Sequence, residues 1–510
     1  MFAVAVLGLL LHPALNTAAG TRSAQPGISV PAGGDLQAAL NAARPGDVIE
    51  LPAGATFTGN FLLPNKSGAQ WIVIRSSAQE RLPASGSRVS PGDGNLMPRI
   101  VSPNTSPAIS TAAGAHHYQI IGIEITTSSP VNINLIRLEA PGQVAVDQVP
   151  TDIVFDRCYI HGTLTGNIRR GIVLNGVRLS VTGSYLSDFH ERNADSQAIA
   201  GWNGPGPFKI VNNHLEAAGE NVIFGGADPS IGDLVPSDIE IRGNHFFKPL
   251  TWRVGDPAYA GTHWSVKNLF ELKNARRVLV DGNIFEYNWA DAQNGFAILF
   301  TVRNQNGTAP WSVVEDVTFT NNIVRHVTAG INILGWDDLH PSQQTKRILI
   351  RNNLFVDVGG ARWGGGRLFQ LLDGTAGVVI DHTTAFQTDS PIVAGVSVRS
   401  RAAHTGFVFT NNITPNNQFG VGGDGTFGNP LLTLHTYFPG YVFARNVVVV
   451  GNPSNYPPGN FFPASPDQVG FVNYAGGDYR LAPSSPYRRA GSDRRDIGVD
   501  FAALAAATVR

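Results

Sequence analysis

The sequence predicts an all-β solenoid: a single parallel β-helix of about eleven coils, with a helical cap at its N-terminal end and a second cap at its C-terminal end. Three observations carry this reading. A short motif returns roughly every 30 residues through the middle of the chain. The apolar residues around it alternate with period two, as in Asp238-Ile239-Glu240-Ile241, which is the period of a strand. The 57 glycines and 33 prolines disfavour long helices.

The motif places apolar residues at i and i+2, then a small polar pair, then another apolar residue. It reads Ile210-Val211-Asn212-Asn213-His214-Leu215, Ile241-Arg242-Gly243-Asn244-His245-Phe246 and Val280-Asp281-Gly282-Asn283-Ile284-Phe285. It returns as Phe319-Thr320-Asn321-Asn322 and Ile350-Arg351-Asn352-Asn353-Leu354-Phe355. Counting weaker copies, its fourth position falls at 123, 158, 184, 213, 244, 283, 322, 353, 383, 412 and 446. Stacked coils would align these asparagines into an internal ladder, each amide satisfying the turn of the next coil. Cys158, Ser184 and Thr383 share the column, so Cys158 reads as a small structural filler. Each coil carries a further strand, at 172–174, 222–224, 269–273, 297–303, 331–334 and 368–372.

From the N-terminus, residues 1–20 read as a signal peptide: Phe2 to Leu11 is an apolar run too short to span a bilayer, followed by Ala18, Ala19 and Gly20. The run lacks a Lys or Arg after Met1. The expected location is therefore extracellular or periplasmic. Residues 27–115 form the cap and first strands, with Asp35 capping a short helix whose apolar face is Leu36, Ala39 and Leu40. The β-helix proper runs 116–450, and 451–510 is a loop and closing cap. No segment is long and apolar enough to span a membrane. A net charge of −1 with 15% charged residues argues against a nucleic-acid partner, and one cysteine excludes an intramolecular disulfide or a cysteine-rich zinc site. A monomer is expected.

The stretch Asp35-Leu36-Gln37-Ala38-Ala39-Leu40, followed by Arg44-Pro45-Gly46-Asp47-Val48-Ile49-Glu50-Leu51-Pro52-Ala53-Gly54, resembles the opening cap of right-handed parallel β-helix proteins of the pectate-lyase-like superfamily. The ending Asp478-Tyr479-Arg480-Leu481, Ser485-Pro486, Ala490-Gly491 and Asp496-Ile497-Gly498 is similar to their closing segment. The resemblance implies a right-handed coil and a polysaccharide substrate. It does not by itself choose among the lyases, hydrolases, epimerases and adhesins that use this fold.

The two longest coils, 244–283 and 283–322, are where chemistry is expected, because extra residues in a solenoid become loops on one face. The insertions at 248–266 and 304–315 carry Trp252, Tyr259, Trp264 and Trp311, which as exposed aromatics would stack on sugar rings or else pack the loops down. In Leu269-Phe270-Glu271-Leu272-Lys273, alternation buries Phe270 and Leu272 and turns Glu271 and Lys273 outward, with Thr301 and Arg303 comparable one coil later. After the asparagine column, Glu216, Glu286 and Arg325 share one outward position, and Lys248 and His326 the next. Lys248, Arg253, Trp252, Trp264 and His326 are the candidate substrate contacts.

The coil Glu271-Leu272-Lys273-Asn274 with Thr301-Val302-Arg303-Asn304 is similar to the catalytic coils of the alginate lyase and chondroitinase B family. By that resemblance Lys273 is the base and Arg303 its partner in β-elimination. The family's acidic calcium ligands fall where this chain has Val266 and Asn268, so calcium is an open expectation, with Asp228 and Glu216 as candidate ligands. Two cations suit the chemistry: one neutralises the charge that gathers as the carbanion forms, and the neighbouring Arg lowers the pKa of the Lys base so that it can be unprotonated. Two alternatives stand beside it. Glycoside hydrolysis needs two facing carboxylates, which Glu216, Glu286, Asp228 and Glu271 offer, although Asn-Thr-Asp and Gly-His-Gly motifs are absent. A binding or surface protein needs neither, and Glu271, Lys273 and Arg303 would then be an ion-pair ladder. Asp337-Asp338 reads as an ordinary turn, His382 as a turn residue, and His116-His117 as structural. A near-neutral surface suits a neutral glycan as well as an acidic one.

Overall fold

The computed structural model describes residues 27–395 and 403–508. The apolar run at 2–11 and the expected signal peptide at 1–20 lie outside them. One coil shows how the chain is wound. Ser237–Arg242 forms a strand of the first sheet and Gly243-Asn244 turns. His245–Phe247 forms a strand of the second sheet, a long loop follows, and Phe270–Leu272 enters the third before Ala275–Asp281 returns to the first. Every pairing in these sheets is parallel to the preceding and following coil, giving sheets of 14, 13 and 12 strands. The result is a right-handed parallel β-helix, the hand in which strand–crossover–strand connections run.

The sheets hold more strands than the eleven marker positions imply. Val48–Leu51, Thr56–Thr58 and Phe61–Leu63 already make a coil, and Ile72–Ser76, Arg99–Ser102 and Ile109–Thr111 make another. Their turns carry no column residue, because Pro52-Ala53-Gly54 and a folded insertion replace it, so the motif does not mark them.

The asparagine column is a hydrogen-bonded ladder from Cys158 to Asn353, and it resumes from Thr383 onward. The backbone N–H of Asn213 donates to the Asn244 side chain at 2.8 Å, Asn244 to Asn283 at 2.9 Å, Asn283 to Asn322 at 2.9 Å and Asn322 to Asn353 at 2.9 Å. Ser184 takes its place in it, accepting from the Cys158 N–H at 3.0 Å. Cys158 is fully buried, and burial raises its thiol to about 12, as befits a filler. The ladder also reaches Asn460, within what reads as a loop, which accepts from Asn446 N–H at 2.9 Å. The residue just before each column position is left-handed: Arg157 at φ 50, Asn212 at 55, Gly243 at 62, Gly282 at 67, Asn321 at 55 and Asn352 at 55. Glycine and asparagine tolerate that region best, which explains why the pair reads Gly-Asn or Asn-Asn.

Inside the coils, side chains of one type stack along the axis. Phe246 lies on Phe285 with centroids 4.4 Å apart, and Phe285 on Phe319 at 5.6 Å. Each buried phenylalanine contributes about 2–3 kcal/mol of apolar burial. The N-terminal end is covered by the helix Leu36–Ala42, whose Asp35 carboxylate accepts from Ala38 N–H at 2.9 Å and which buries Leu36, Ala39 and Leu40. At the other end the helix Pro430–Tyr437 packs against the last third-sheet strands. The hairpin Phe471–Asn473 with Asp478–Leu481 follows, and the tail then folds back along the flank.

Candidate functional site

The third sheet brings Lys273 and Arg303 together. Lys273 follows the strand Phe270–Leu272, and the Arg303 backbone N–H donates to its carbonyl at 2.9 Å, so the two residues are neighbours on adjacent coils. A close backbone approach at Gly225 supports Lys273 from the preceding coil, where a Cβ would sit 2.8 Å from the Lys273 Cβ. Phe270 and Leu272 point into the coil, and Glu271 points outward, as alternation requires. Glu271 is nevertheless only 1% exposed. Its carboxylate accepts from Asn268 Nδ2 at 3.1 Å and Thr301 Oγ1 at 3.3 Å, and lies 3.7 Å from Lys273 Nζ. Arg303 is held by two carboxylates, Asp337 at 2.6 Å and Asp338. The Asp pair is thus both a turn, with Asp337 accepting from Leu339 N–H at 2.8 Å, and the anchor of Arg303.

One coil towards the N-terminus lies a group that no sequence motif singles out. Glu220 is fully buried, accepts from Gln197 Nε2 at 2.7 Å and lies 3.8 Å from Lys267 Nζ, which itself pairs with Asp195 at 2.6 Å. Burial, with Asp195 and Glu271 beside it, pushes the Glu220 carboxyl up. Glu220 Oε1 and Asn268 Oδ1 are buried without a hydrogen-bond partner. The available signal is register alone: Glu220 pairs with Gln197 on successive third-sheet strands.

The aromatic insertion departs from expectation. Trp252 and Trp264 are 5% and 2% exposed and pack with Trp289 and Val266 into a small core of their own. Trp264 also stacks on His190 with centroids 3.7 Å apart. A loop this long must bury apolar surface to stay folded, and these residues supply it, so neither offers a face to a sugar. Lys248 likewise turns inward. It is fully buried and donates to the carbonyls of Ala217, Ala218 and Gly219 at 2.6, 2.9 and 2.7 Å and to Asn221 at 3.2 Å. Burial lowers its ammonium to about 7. Arg253 lies over the Trp363 ring at 4.7 Å and donates to the Arg362 carbonyl. His326 pairs with Asp357 at 2.8 Å and stacks on Tyr287 at 5.3 Å, on the second sheet rather than beside Lys273.

Glu216 and Glu286 also lie on the second sheet, in one column through Phe247, with Arg325 next. They are two coils apart, about 10 Å along the sheet. Glu216 accepts from Tyr185 at 3.3 Å and faces His214 at 2.7 Å, and burial raises its carboxyl to about 7. Burial pushes Glu286 the same way, but His245 at 2.9 Å and Arg325 at 3.0 Å hold it down at about 2. Glu286 therefore does not share a groove with Glu271 and Lys273.

The candidate metal ligands do not meet. Asp228 accepts from the N–H groups of Asn306 and Thr308 at 3.0 and 2.9 Å, tying two loops, while Glu216 sits on the other sheet. Calcium takes about six to eight oxygens. Beside Lys273 the ammonium of Lys267 already lies among the carboxylates, and no group of three or more His, Cys, Asp or Glu among the described residues is arranged to hold a metal ion. These residues do not fit a calcium site. No helix among the described residues is long and apolar enough to cross a membrane.

Neither a protein-family model nor a curated protein sequence matches the chain. Solved structures do. A PL6 family alginate lyase, AlyGC, superposes with a TM-score of 0.56 at 15% identity over 93% of this chain and 58% of its own. The chain thus spans 58% of the length of that protein. The catalytic unit of a GH87 alpha-1,3-glucanase from Streptomyces thermodiastaticus gives a TM-score of 0.49 at 15% identity, covering 79% of this chain and 66% of that one. Pectate lyase Pel9A gives 0.40 at 13% identity, covering 93% and 96%. At 15% identity the likeness to the alginate lyase is one of fold, and it agrees with the parallel β-helix described above.

Proposed function

We propose that the protein is an exported polysaccharide lyase that cleaves a uronic-acid-containing glycan by β-elimination at the Lys273–Arg303 pair. The observation that carries the reading is the backbone bond from Arg303 to Lys273, which fixes two cationic side chains side by side. Both keep access to solvent, with side chains 17% and 21% exposed. In this reaction unprotonated Lys273 takes the proton next to the uronate carboxylate. The electron pair forms the new C–C double bond, the bond to the glycosidic oxygen breaks, and that oxygen takes up a proton. Arg303, anchored by Asp337 and Asp338, faces the carboxylate that gathers charge as the carbanion forms. Asn268 and Thr301 hold the Glu271 carboxylate by hydrogen bonds beside Lys273. The first solved structure above is called an alginate lyase, which supports a uronate substrate.

A second reading, glycoside hydrolysis, rests on the second sheet. Glu216 near 7 and Glu286 near 2 are an acid and a base held apart by their surroundings. Their spacing approaches the about 6.5–9.5 Å between carboxyls in inverting hydrolases.

The test incubates the protein with alginate, pectic, glycosaminoglycan and neutral glycans, with calcium or with chelator. Ultraviolet absorbance and reducing ends are read together. Elimination gives both signals, persists in chelator because Lys267 supplies the local positive charge, and disappears in Lys273→Ala with the circular dichroism spectrum unchanged. New ends without absorbance, lost in Glu286→Gln, move the function to the second sheet. Silence on every glycan leaves a binding protein.

A further inference from the structure

We infer a second binding site, for an oxyanion-bearing ligand, where the C-terminal tail folds back across the flank of the β-helix. A cavity of about 790 Å³ lies there, lined by Arg351, Arg480, Arg489, Arg494 and Arg495, with Phe501 forming part of an apolar wall. The chain as a whole carries a net charge of −1, so five arginines around one cavity are a local concentration rather than a general basic surface. The site faces the turns between the first and second sheets, whereas Lys273 lies at the end of a third-sheet strand. It goes beyond the proposed lyase activity and does not depend on it.

The carboxylates near the cavity are largely committed elsewhere. Asp500 caps the helix Phe501–Thr508, accepting from Ala502 and Ala503 N–H at 3.0 Å each. Asp496 accepts from the Arg489 backbone N–H at 2.9 Å and lies 3.6 Å from Arg488. Asp493 is shared among His382 at 3.2 Å, Arg495 at 3.6 Å and Arg351 at 3.9 Å. Arg351 also meets Asp381 at 3.3 Å, and Arg480 meets Asp478 at 2.5 Å. The guanidinium groups of Arg489 and Arg494 form no ion pair among the described residues.

Those two arginines are presented by a stiff loop. Both have left-handed backbones, at φ 54 and 67. The loop is closed by Gly491 N–H to Arg495 carbonyl at 2.9 Å and Arg494 N–H to Gly491 carbonyl at 3.0 Å. It is bolted to the coil by Ser492 N–H to the Asn411 side chain at 2.8 Å and Gly498 N–H to the Asn411 carbonyl at 2.8 Å. Like charges held close together repel one another, and an anion bound between them relieves that repulsion. Planar guanidinium forks match the paired oxygens of a carboxylate, sulfate or phosphate. The volume lies in the range of small-ligand pockets, about 300–1,000 Å³. The apolar side, with Leu481, Val499 and Phe501, suits the C–H face of a sugar. The ligand is therefore an acidic sugar residue of a glycan or a free inorganic oxyanion.

The experiment modifies arginines of the full chain with phenylglyoxal and maps them by mass spectrometry. It is run alone and with an oligouronate, a neutral oligoglucoside of equal length, or inorganic phosphate. Expected is protection of Arg489 and Arg494 by an anionic probe and none by the neutral one. Protection by the oligouronate alone assigns an acidic glycan; protection by phosphate assigns a small oxyanion. In calorimetric titration the exposed double variant Arg489→Ala/Arg494→Ala should bind the protecting probe about tenfold more weakly or worse, as loss of charge-assisted bonds requires. The Lys273→Ala chain should keep the protection. Failure of both anions to protect, or equal binding by the double variant, overturns the site.

Discussion

The Lys248 ammonium, fully buried, satisfies three backbone carbonyls and one amide oxygen. Lys248→Met keeps the stem and removes the donor. It should cost about 3–5 kcal/mol, because buried acceptors lose their partner. Denaturant unfolding measures the loss, while KM for any glycan stays unchanged. A rise in KM at unchanged stability would return Lys248 to the substrate. Glu216 makes a different prediction, in pH. Its carboxyl is raised from 4.5 to about 7, so the native state holds a proton that the unfolded chain has released. The associated stability is full below about 4.5 and is lost as pH rises through about 7, by about 3 kcal/mol in all. Glu216→Gln does not titrate. Its melting temperature relative to the native protein should be higher at pH 8 than at pH 5, and a difference independent of pH would refute the raised carboxyl. Alternation could not foresee the inward turn of Lys248. The strand His245–Phe247 ends one residue earlier, and past its end nothing in a period of two fixes where a side chain points.

Among elements, the ladder is where sequence and energetics meet most directly. Asn283 accepts from the backbone N–H and the side-chain amide of Asn244, and donates to the Ile241 carbonyl at 3.0 Å. Asn283→Ala leaves these buried groups unpaired, and about 2–4 kcal/mol should be lost by denaturant unfolding. A loss below about 0.5 kcal/mol, the level of a neutral surface change, would show that the ladder is ornament. The column and the alternating strands were legible because they repeat under one constraint, the left-handed turn before each marker. The first coils were not, since a different turn replaces the marker there. The step of one coil places Lys273 beside Arg303, although Lys273 lies one residue past the strand Phe270–Leu272, where alternation alone fixes no direction. The partners that define its surroundings were not legible. Asp337 reaches Arg303 across 34 residues, and Glu220 meets Lys267 across a loop that follows no period. Of the two roles open to the tryptophans, Trp252 and Trp264 take the packing one, because an insertion long enough to carry exposed aromatics is also long enough to need a core of its own.

Over the whole molecule, the tail joins coils that a solenoid would leave independent. Repeat architectures are stabilised mainly between neighbours, so distant coils communicate weakly. Here residues 492–508 run back along the turns. Ser492 and Gly498 bond to Asn411, Val499 N–H to Thr384 at 3.0 Å, and Asp500 N–H to Asn352 at 2.6 Å. The Ala507 carbonyl comes so near Gly282 that a Cβ there would meet it at 2.2 Å. The helix Phe501–Thr508 docks through Leu504, buried with Leu354 and Val499. Leu504→Ala removes the centre of that contact and should cost about 2–4 kcal/mol locally. Hydrogen exchange is the measurement. Amides of the turns at 282, 352 and 411 should lose protection together, although they lie on coils separated by 129 residues of chain, while those of coils 158 and 184 keep theirs. Loss confined to the helix itself would mean that the tail merely covers the flank. Concerted loss would mean that it binds the C-terminal half into one cooperative unit, and that the arginine cavity beneath it opens and closes with that unit.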